Sequence, residues 1–338
     1  MVRLKAAVAG ANGYAGMTLV NLLARHPGVV LTQLTSRSYA GQPYAAVFPL
    51  LDAEGTFLAE PDPGEVDVVF SCLPHNVGAA RTGAWLEAGI RVIDLSADFR
   101  LHDAAAYPRW YRQEHPAPAL LGEAVYGLTE LHAAEMLGAR LIAVPGCYSS
   151  TSILAMAPAV AAGLVASDVV IDAKSGVSGA GRSVGLSTHF SEVSESVHAY
   201  AVAGHRHLPE LEQELAGLAP GGRRPRLTFV PHLIPMIRGI EVSCYFDATV
   251  PVSQVREAYR GFYLGQPFTR VVDFVPQTKL VSHSNHCLIS VSAQGEKIVV
   301  SAVLDNLVKG AAGQAVECFN LAFGHDRCEG LEIPLQWP

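Results

Sequence analysis

The stretch LKAAVAGANGYAG, residues 4–16, decides the architecture. Its first half is a short apolar run, as in a strand buried on both faces. Its second half places Gly10, Gly13 and Gly16 in a G-x-x-G-x-x-G spacing. A helical pattern follows over residues 15–25. Strand, glycine turn and helix in this order make a phosphate cradle: glycine allows a tight turn and close approach of backbone to a pyrophosphate. The helix start then supplies free N–H groups and a positive dipole end. Gly10, Asn12, Gly13, Tyr14, Ala15 and Gly16 are the candidate cofactor contacts. A merely tight turn is the competing reading.

Working outward, strand patterns at 29–35, 66–71, 91–95 and 140–144 alternate with helical ones, including 77–87. Continuous apolar runs separated by helices predict a parallel sheet covered on both faces, a Rossmann-type α/β domain. Beyond Cys147 the character changes. Segments 169–173, 226–231, 240–250, 286–292 and 297–302 are strand-like, and several alternate in and out, as antiparallel strands do. Gln294 and Gly295 mark a hairpin between the last two. Helical patterns at about 150–162, 208–217 and 253–263 complete an α+β second domain with a mixed or antiparallel sheet. A final helix over 307–322 stops at Gly324.

The second strand selects the dinucleotide. An NAD site ends this strand with an acid for the ribose hydroxyls. Here it ends in Thr35-Ser36-Arg37-Ser38. Ser36 and Arg37 suit a 2′-phosphate, so NADP(H) is the expected cofactor; an ordinary surface arginine is the alternative.

Composition removes several classes of function. The 338 residues suit two domains, half of them are hydrophobic, and the net charge is −7. That balance disfavours a nucleic-acid surface, and the basic segment GGRRPR at 221–226 reads as a solvated loop. The longest apolar run, ILAMAPAVAAGLVA at 153–166, is broken by Pro158 and too short to span a bilayer. The N-terminal apolar run is too short for a signal peptide. Six cysteines without a Cys-x-x-Cys pair point to a reduced, cytoplasmic protein.

Cys147 stands in VPGCYSS, residues 144–150, where the last strand of the first domain gives way to a helix. Ligands in open parallel sheets bind beyond the carboxyl ends of strands, and a helix N-terminus favours a thiolate. A nucleophile and a small buried hydrophobe both fit that position. A nucleophile needs a base, and GHRHLPE at 204–210 offers His205 and His207. Metal binding by this pair would need further ligands at suitable spacing, and no such cluster is apparent, so no metal is expected. In SGVSGAGR, residues 175–182, small residues and hydroxyls with Arg182 suit a second phosphate, or simply a flexible loop.

These stretches together resemble the N-acetyl-γ-glutamyl-phosphate reductase family, arginine-pathway members of the semialdehyde dehydrogenases. The similarity runs through GANGYAG (10–16), DLSADFR (94–100), VYGLTEL (125–131), VPGCY (144–148), SGVSGAGR (175–182), GHRHLPE (204–210), PHLIPMIRGI (231–240), PQTK (276–279) and DNLVKGAAGQAV (305–316). It implies NADPH-dependent reduction of an acyl phosphate to an aldehyde through a thioester on Cys147. It implies a histidine of GHRHLPE as acid/base, His207 in preference to His205, with Glu210 orienting it. Ser178 and Gly179 would meet nicotinamide and substrate phosphate, Asn306 the nicotinamide side, and Leu73-Pro74-His75 the cofactor. Arg182, Arg100 and Arg238 are the expected partners of substrate anions. The resemblance further implies a cofactor domain of residues 1–147 and 305–338, a substrate and oligomerisation domain of 148–304, and a homodimer or homotetramer. One departure is visible: Ser149-Ser150 stand where the family often carries Pro-Thr. Rival readings are aspartate-semialdehyde dehydrogenase, a lysine-pathway homologue acting on a carrier-linked aminoadipyl phosphate, and a non-catalytic NADP-binding sensor.

Overall fold

The computed structural model describes residues 3–51, 53–222 and 224–332. Arg223 of the basic loop and residues 333–338 of the expected returning segment lie outside the described residues. Two compact units are present, one of residues up to Pro145 plus Ala311–Glu332, the other Gly146–Gly310. The units divide at 145/146 and 310/311, where the sequence places the divisions at 147/148 and 304/305.

The first unit is built on a six-stranded sheet of β1 (Leu4–Ala9), β2 (Val29–Thr35), β3 (Val68–Ser71), β4 (Arg91–Asp94), β5 (Val125–Tyr126) and β6 (Leu141–Ala143). The order is β2-β1-β3-β4-β6-β5, and every pairing is parallel. Ala6 to Ala9 and all of β3 are buried, which explains why these strands read as unbroken apolar runs. The chain turns from one side of β1 to the other between β2 and β3, so the strand order reverses at the carboxyl end of β1. Dinucleotides bind at such a switch point. β3 begins at Val68, two residues later than the pattern suggests; just before it, Asp67 N–H donates to Lys5 O and the Asp67 carboxylate accepts from Lys5 N–H.

The Gly313–Phe323 helix belongs to this unit and ends on Gly324 in the left-handed conformation (φ 74°). Its Gln314 and Glu317 are fully buried and grip the VYGLTEL segment: Gln314 Nε2 donates to Gly127 O, and Thr129 Oγ1 to Glu317. Arg327 bridges Glu317 and Glu130. VYGLTEL therefore makes a structural tie within this unit.

The second unit holds β7 (Val169–Gly176), β8 (His198–Ala199), β9 (Leu227–Ile234), β10 (Ile240–Asp247), β11 (Thr269–Val271), β12 (Cys287–Gln294) and β13 (Lys297–Leu304). They form one mixed sheet in the order β11-β12-β13-β10-β7-β9-β8. The β12–β13 hairpin closes through Gly295 and Glu296, with Gln294 opposite Lys297 and Gly295 at φ 60°. Strand β10 alternates buried and half-buried residues, so one sheet face is covered and the other is not. The Cys147–Ala161 helix is buried on every side from Tyr148 to Val160: its second half is wholly apolar, and its first turns bury the small hydroxyl residues Ser149, Ser150, Thr151 and Ser152. The Val252–Phe262 helix and the residue after it anchor it: Tyr259 Oη donates to Ala155 O at 2.6 Å and Tyr263 Oη to Leu154 O at 2.5 Å.

Candidate functional site

In the first unit the glycine turn is sterically compelled. A Cβ at Gly10, whose φ is +79°, would lie 2.7 Å from Cys72 O; one at Gly16 would lie 2.5 Å from Gly10 O. Gly13 N–H donates to Gly10 O, and no side chain caps the Tyr14–Leu23 helix. Its first N–H groups are thus left without a side-chain cap, as pyrophosphate binding requires. Tyr14 and Ala15 open this helix, and Asn12 Nδ2 donates to Ser38 Oγ at 3.4 Å. Ser36 and Ser38 hydroxyls are 3.2 Å apart beyond β2. Arg37 points outward and pairs with Glu60. These residues fit a dinucleotide: a cradle that excludes side chains, an open helix start, and hydroxyls with a guanidinium at the ribose end.

The loop after β3 carries Pro74 and His75. His75 pairs with Asp98 of DLSADFR, and Asp98 also accepts from Asn76 N–H (2.8 Å) and Ala79 N–H (3.2 Å). Burial raises the Asp98 carboxyl, but the hydrogen bond from His75 and those from the backbone outweigh it and hold it below its usual value. Burial, with Asp98 nearby, pushes Asp94 up to about 6. Arg100 donates to backbone through Nε, to Val144 O (2.8 Å), and through Nη2, to Leu95 O (2.9 Å). It thereby fixes the chain that leads toward Cys147.

In the second unit Cys147 is the first residue of its helix, with Gly146 as the uncapped N-terminal neighbour. The first helical bond runs from Ser150 N–H to Gly146 O at 2.8 Å. Glu210, fully buried, accepts from Gly146 N–H at 3.0 Å and so pins the turn before the thiol. The His207 ring lies against the same glycine: a Cβ at Gly146 would be 2.4 Å from His207 Nε2. A Cβ at Gly310 would be 2.8 Å from Cys147 Cβ, so that glycine makes room for the cysteine.

His205 is enclosed by the rings of Tyr148, Tyr200, Phe229 and His207. Burial, reinforced by Arg206, lowers its pKa to about 4, so the ring is neutral. Cys147, His205, Arg206, His207, Tyr200 and Ser175 share a cavity of about 420 Å³. A larger cleft of about 910 Å³ beside Asp168 and Arg226 is lined by no cysteine or histidine. Arg206 stands between the two candidate histidines, but only the fold gives it a place at the cavity; Tyr200 carries no signal in the sequence at all.

Ser178 and Gly179 sit in the tight turn after β7. Asn306 Nδ2 donates to Ser178 Oγ at 2.9 Å, and Asn306 Oδ1 accepts from Gly239 N–H at 2.7 Å. The backbone of PHLIPMIRGI closes this turn, Ile237 O accepting from Ser178 N–H. Gly179 lines the cavity. Arg182 is exposed, and Arg238 faces Asp305 at 3.4 Å; neither is among the cavity's lining residues. Among the described residues no group of three or more His, Cys, Asp or Glu side chains is placed to hold a metal ion.

Two family models match the chain: the semialdehyde dehydrogenase NAD-binding domain over residues 5–139 and the semialdehyde dehydrogenase dimerisation domain over 147–306. An N-acetyl-γ-glutamyl-phosphate reductase of Dehalococcoides mccartyi is 48% identical over 342 aligned residues, covering 100% of both chains. The enzyme of that name from Azotobacter vinelandii is 47% identical, covering 97% of this chain and 98% of its own. Among solved structures, aspartate semialdehyde dehydrogenase II of Vibrio cholerae superposes with a TM-score of 0.72 at 18% identity, over 95% of this chain and 98% of that one. That likeness is one of fold. With close similarity along its full length, the chain belongs to the N-acetyl-γ-glutamyl-phosphate reductase family of the semialdehyde dehydrogenases.

Proposed function

We propose that this protein reduces N-acetyl-γ-glutamyl phosphate to N-acetylglutamate 5-semialdehyde and phosphate, a step of arginine biosynthesis, with NADPH as the electron donor. The observation that carries the reading is a thiol at an open helix start with an imidazole packed against the preceding glycine, both lining one cavity. Ser36 and Arg37, with no acid in the strand end itself, support NADP(H) over NAD(H).

The Cys147 thiolate attacks the acyl carbon, the bond to phosphate breaks, and a thioester forms on Sγ. A bound nicotinamide supplies the hydride that reduces it. His207 gives its proton to the thiohemiacetal oxygen and takes it back as the carbon–sulfur bond breaks, which releases aldehyde and thiolate. Backbone N–H groups at the start of the Cys147 helix stabilise the oxyanion; one such donor is worth about 3 kcal/mol in comparable sites. Glu210 holds the turn. Arg206 supplies positive charge at the cavity for phosphate; Arg182, which lies outside the cavity, joins it only if the loop after Ser178 swings in. Arg100 and Arg238 act on substrate anions only by releasing their present partners.

No helix among the described residues is long and apolar enough to cross a membrane. The reading includes a reduced, cytoplasmic setting and a homo-oligomer formed through the half-exposed face of the second unit's sheet.

The test runs the reaction backwards. Purified protein is mixed with N-acetylglutamate semialdehyde, phosphate and NADP⁺, and NADPH absorbance is followed. Phosphate-dependent NADPH formation, lost in Cys147→Ala and absent with aspartate semialdehyde, is expected. Equal rates with both aldehydes, or undiminished turnover in the variant, would refute it.

A further inference from the structure

The strand that ends the adenosine side of the cradle has no acid of its own, yet an acid reaches it from elsewhere in the chain. After Ser38 the chain makes an excursion and doubles back. Gly41 N–H donates to Phe57 O, Tyr44 N–H to Gly55 O, and Leu58 N–H to Leu34 O, while Ser36 N–H donates to Leu58 O. Phe57, buried against the rings of Tyr39, Tyr44 and Phe48, locks the return. Leu58 pairs in parallel with Thr35, the last residue of β2. Glu60 follows two residues later and so stands at the carboxyl edge of β2.

There its carboxylate meets two guanidiniums. Arg37 Nη2 donates to Oε1 at 3.1 Å; Arg81 Nε donates to Oε2 at 3.0 Å and its Nη2 contacts Oε1. Arg81 belongs to the first turn of the Ala79–Glu87 helix, and its Nη1 also donates to Val77 O, which holds the fork toward Glu60. Two cations facing one carboxylate leave a net positive charge. Two guanidinium forks suit the oxygens of a phosphate better than those of a carboxylate, by charge and by number.

We propose that Arg81 is, with Arg37, the second arginine of the site that takes the 2′-phosphate of the cofactor, and that the Glu60 carboxylate competes with that phosphate for both guanidiniums. This rests on the NADP(H) reading above. Magnitudes favour exchange. The Arg37, Glu60 and Arg81 side chains are 65%, 47% and 27% exposed, and exposed ion pairs contribute about 0–1 kcal/mol. A phosphate therefore displaces this carboxylate at little cost. Ser36 and Ser38 offer hydroxyls on the adjoining turn.

The experiment is calorimetric titration of the full chain with NADP⁺ and, separately, NAD⁺. Arg81→Ala is expected to weaken NADP⁺ binding tenfold or more and leave NAD⁺ unchanged. Glu60→Gln, nearly isosteric but uncharged, is expected to tighten NADP⁺ several-fold and leave NAD⁺ unchanged. Equal weakening of both nucleotides by Arg81→Ala, or none, overturns the proposal. So does selective loss of NAD⁺ binding in Glu60→Gln, which would make Glu60 a ribose ligand. Wild-type protein that binds NAD⁺ as tightly as NADP⁺ refutes the NADP(H) reading itself, before any variant is compared.

Discussion

His205 accepts a hydrogen bond through Nδ1 from the backbone N–H of His207, at 3.1 Å. That bond fixes the tautomer of His205, with its proton on Nε2, and sets the two histidines in different surroundings. His205 is a neutral, ring-enclosed residue bonded to its neighbour's backbone; His207 lies against Gly146, the residue before Cys147. His207→Ala should lower kcat by about 10²–10⁴-fold. His205→Asn, which keeps an acceptor for the His207 N–H, should lower it less than tenfold. Steady-state rates with equal substrate saturation separate the two.

His205 also sets a pH dependence of stability. The pKa of His205 falls from 6.5 to about 4 on folding. Between those values the unfolded chain binds a proton that the folded chain does not, so stability falls as pH falls through this window. A shift of that size corresponds to roughly 3 kcal/mol. Thermal melts of wild type and His205→Gln between pH 7 and pH 4 should show a steeper loss for the wild type. Parallel curves would count against it.

Gly146 and Gly310 lack side chains because the site needs the space. A methyl at Gly146 would meet His207 Nε2 at 2.4 Å, and one at Gly310 would meet Cys147 Cβ at 2.8 Å. Displacement of a reacting group by about 1 Å costs on the order of 10²-fold in rate. Gly146→Ala should therefore lose kcat by about that factor while its thiol remains open to alkylation. Gly310→Ala should slow both turnover and alkylation, since it presses on the cysteine itself. Alkylation rates measured beside kcat distinguish them.

The glycine turn, the first four parallel strands and the hairpin at Gly295 are legible in the sequence because each depends on local chemistry. The short strands β5, β8 and β11, two or three residues each, carry no periodicity and exist only through pairing with longer neighbours. Arg206 and Tyr200 reach the cavity by tertiary folding, and Glu60 reaches β2 through an excursion of more than twenty residues. VYGLTEL shows the opposite case. It stands out in the sequence, yet in this unit its threonine and glutamate serve the buried Arg327 network. Glu130 and Glu317 are fully buried, and removing Arg327 would strand both charges. Arg327→Ala should cost about 3–5 kcal/mol in unfolding free energy. KM for the acyl phosphate should not change, which marks the role as structural.

Ser149 carries the last argument. It is the third residue of the Cys147 helix and fully buried, and its hydroxyl has no hydrogen-bond partner among the described residues. Its backbone N–H precedes the first helical bond, which begins at Ser150. Proline is tolerated in a first turn for this reason, and it reduces the freedom of the unfolded chain. Ser149→Pro, the residue often found there in the family, should stabilise by about 0.4–1 kcal/mol and remove a buried unsatisfied hydroxyl. The melting temperature should rise by about 0.5–1.5 °C. If kcat stays level, the oxyanion is held by N–H groups other than that of Ser149. If kcat falls by about 10²–10³-fold with the melting temperature raised, the Ser149 N–H is itself an oxyanion donor, because proline deletes that one group and leaves the helix in place.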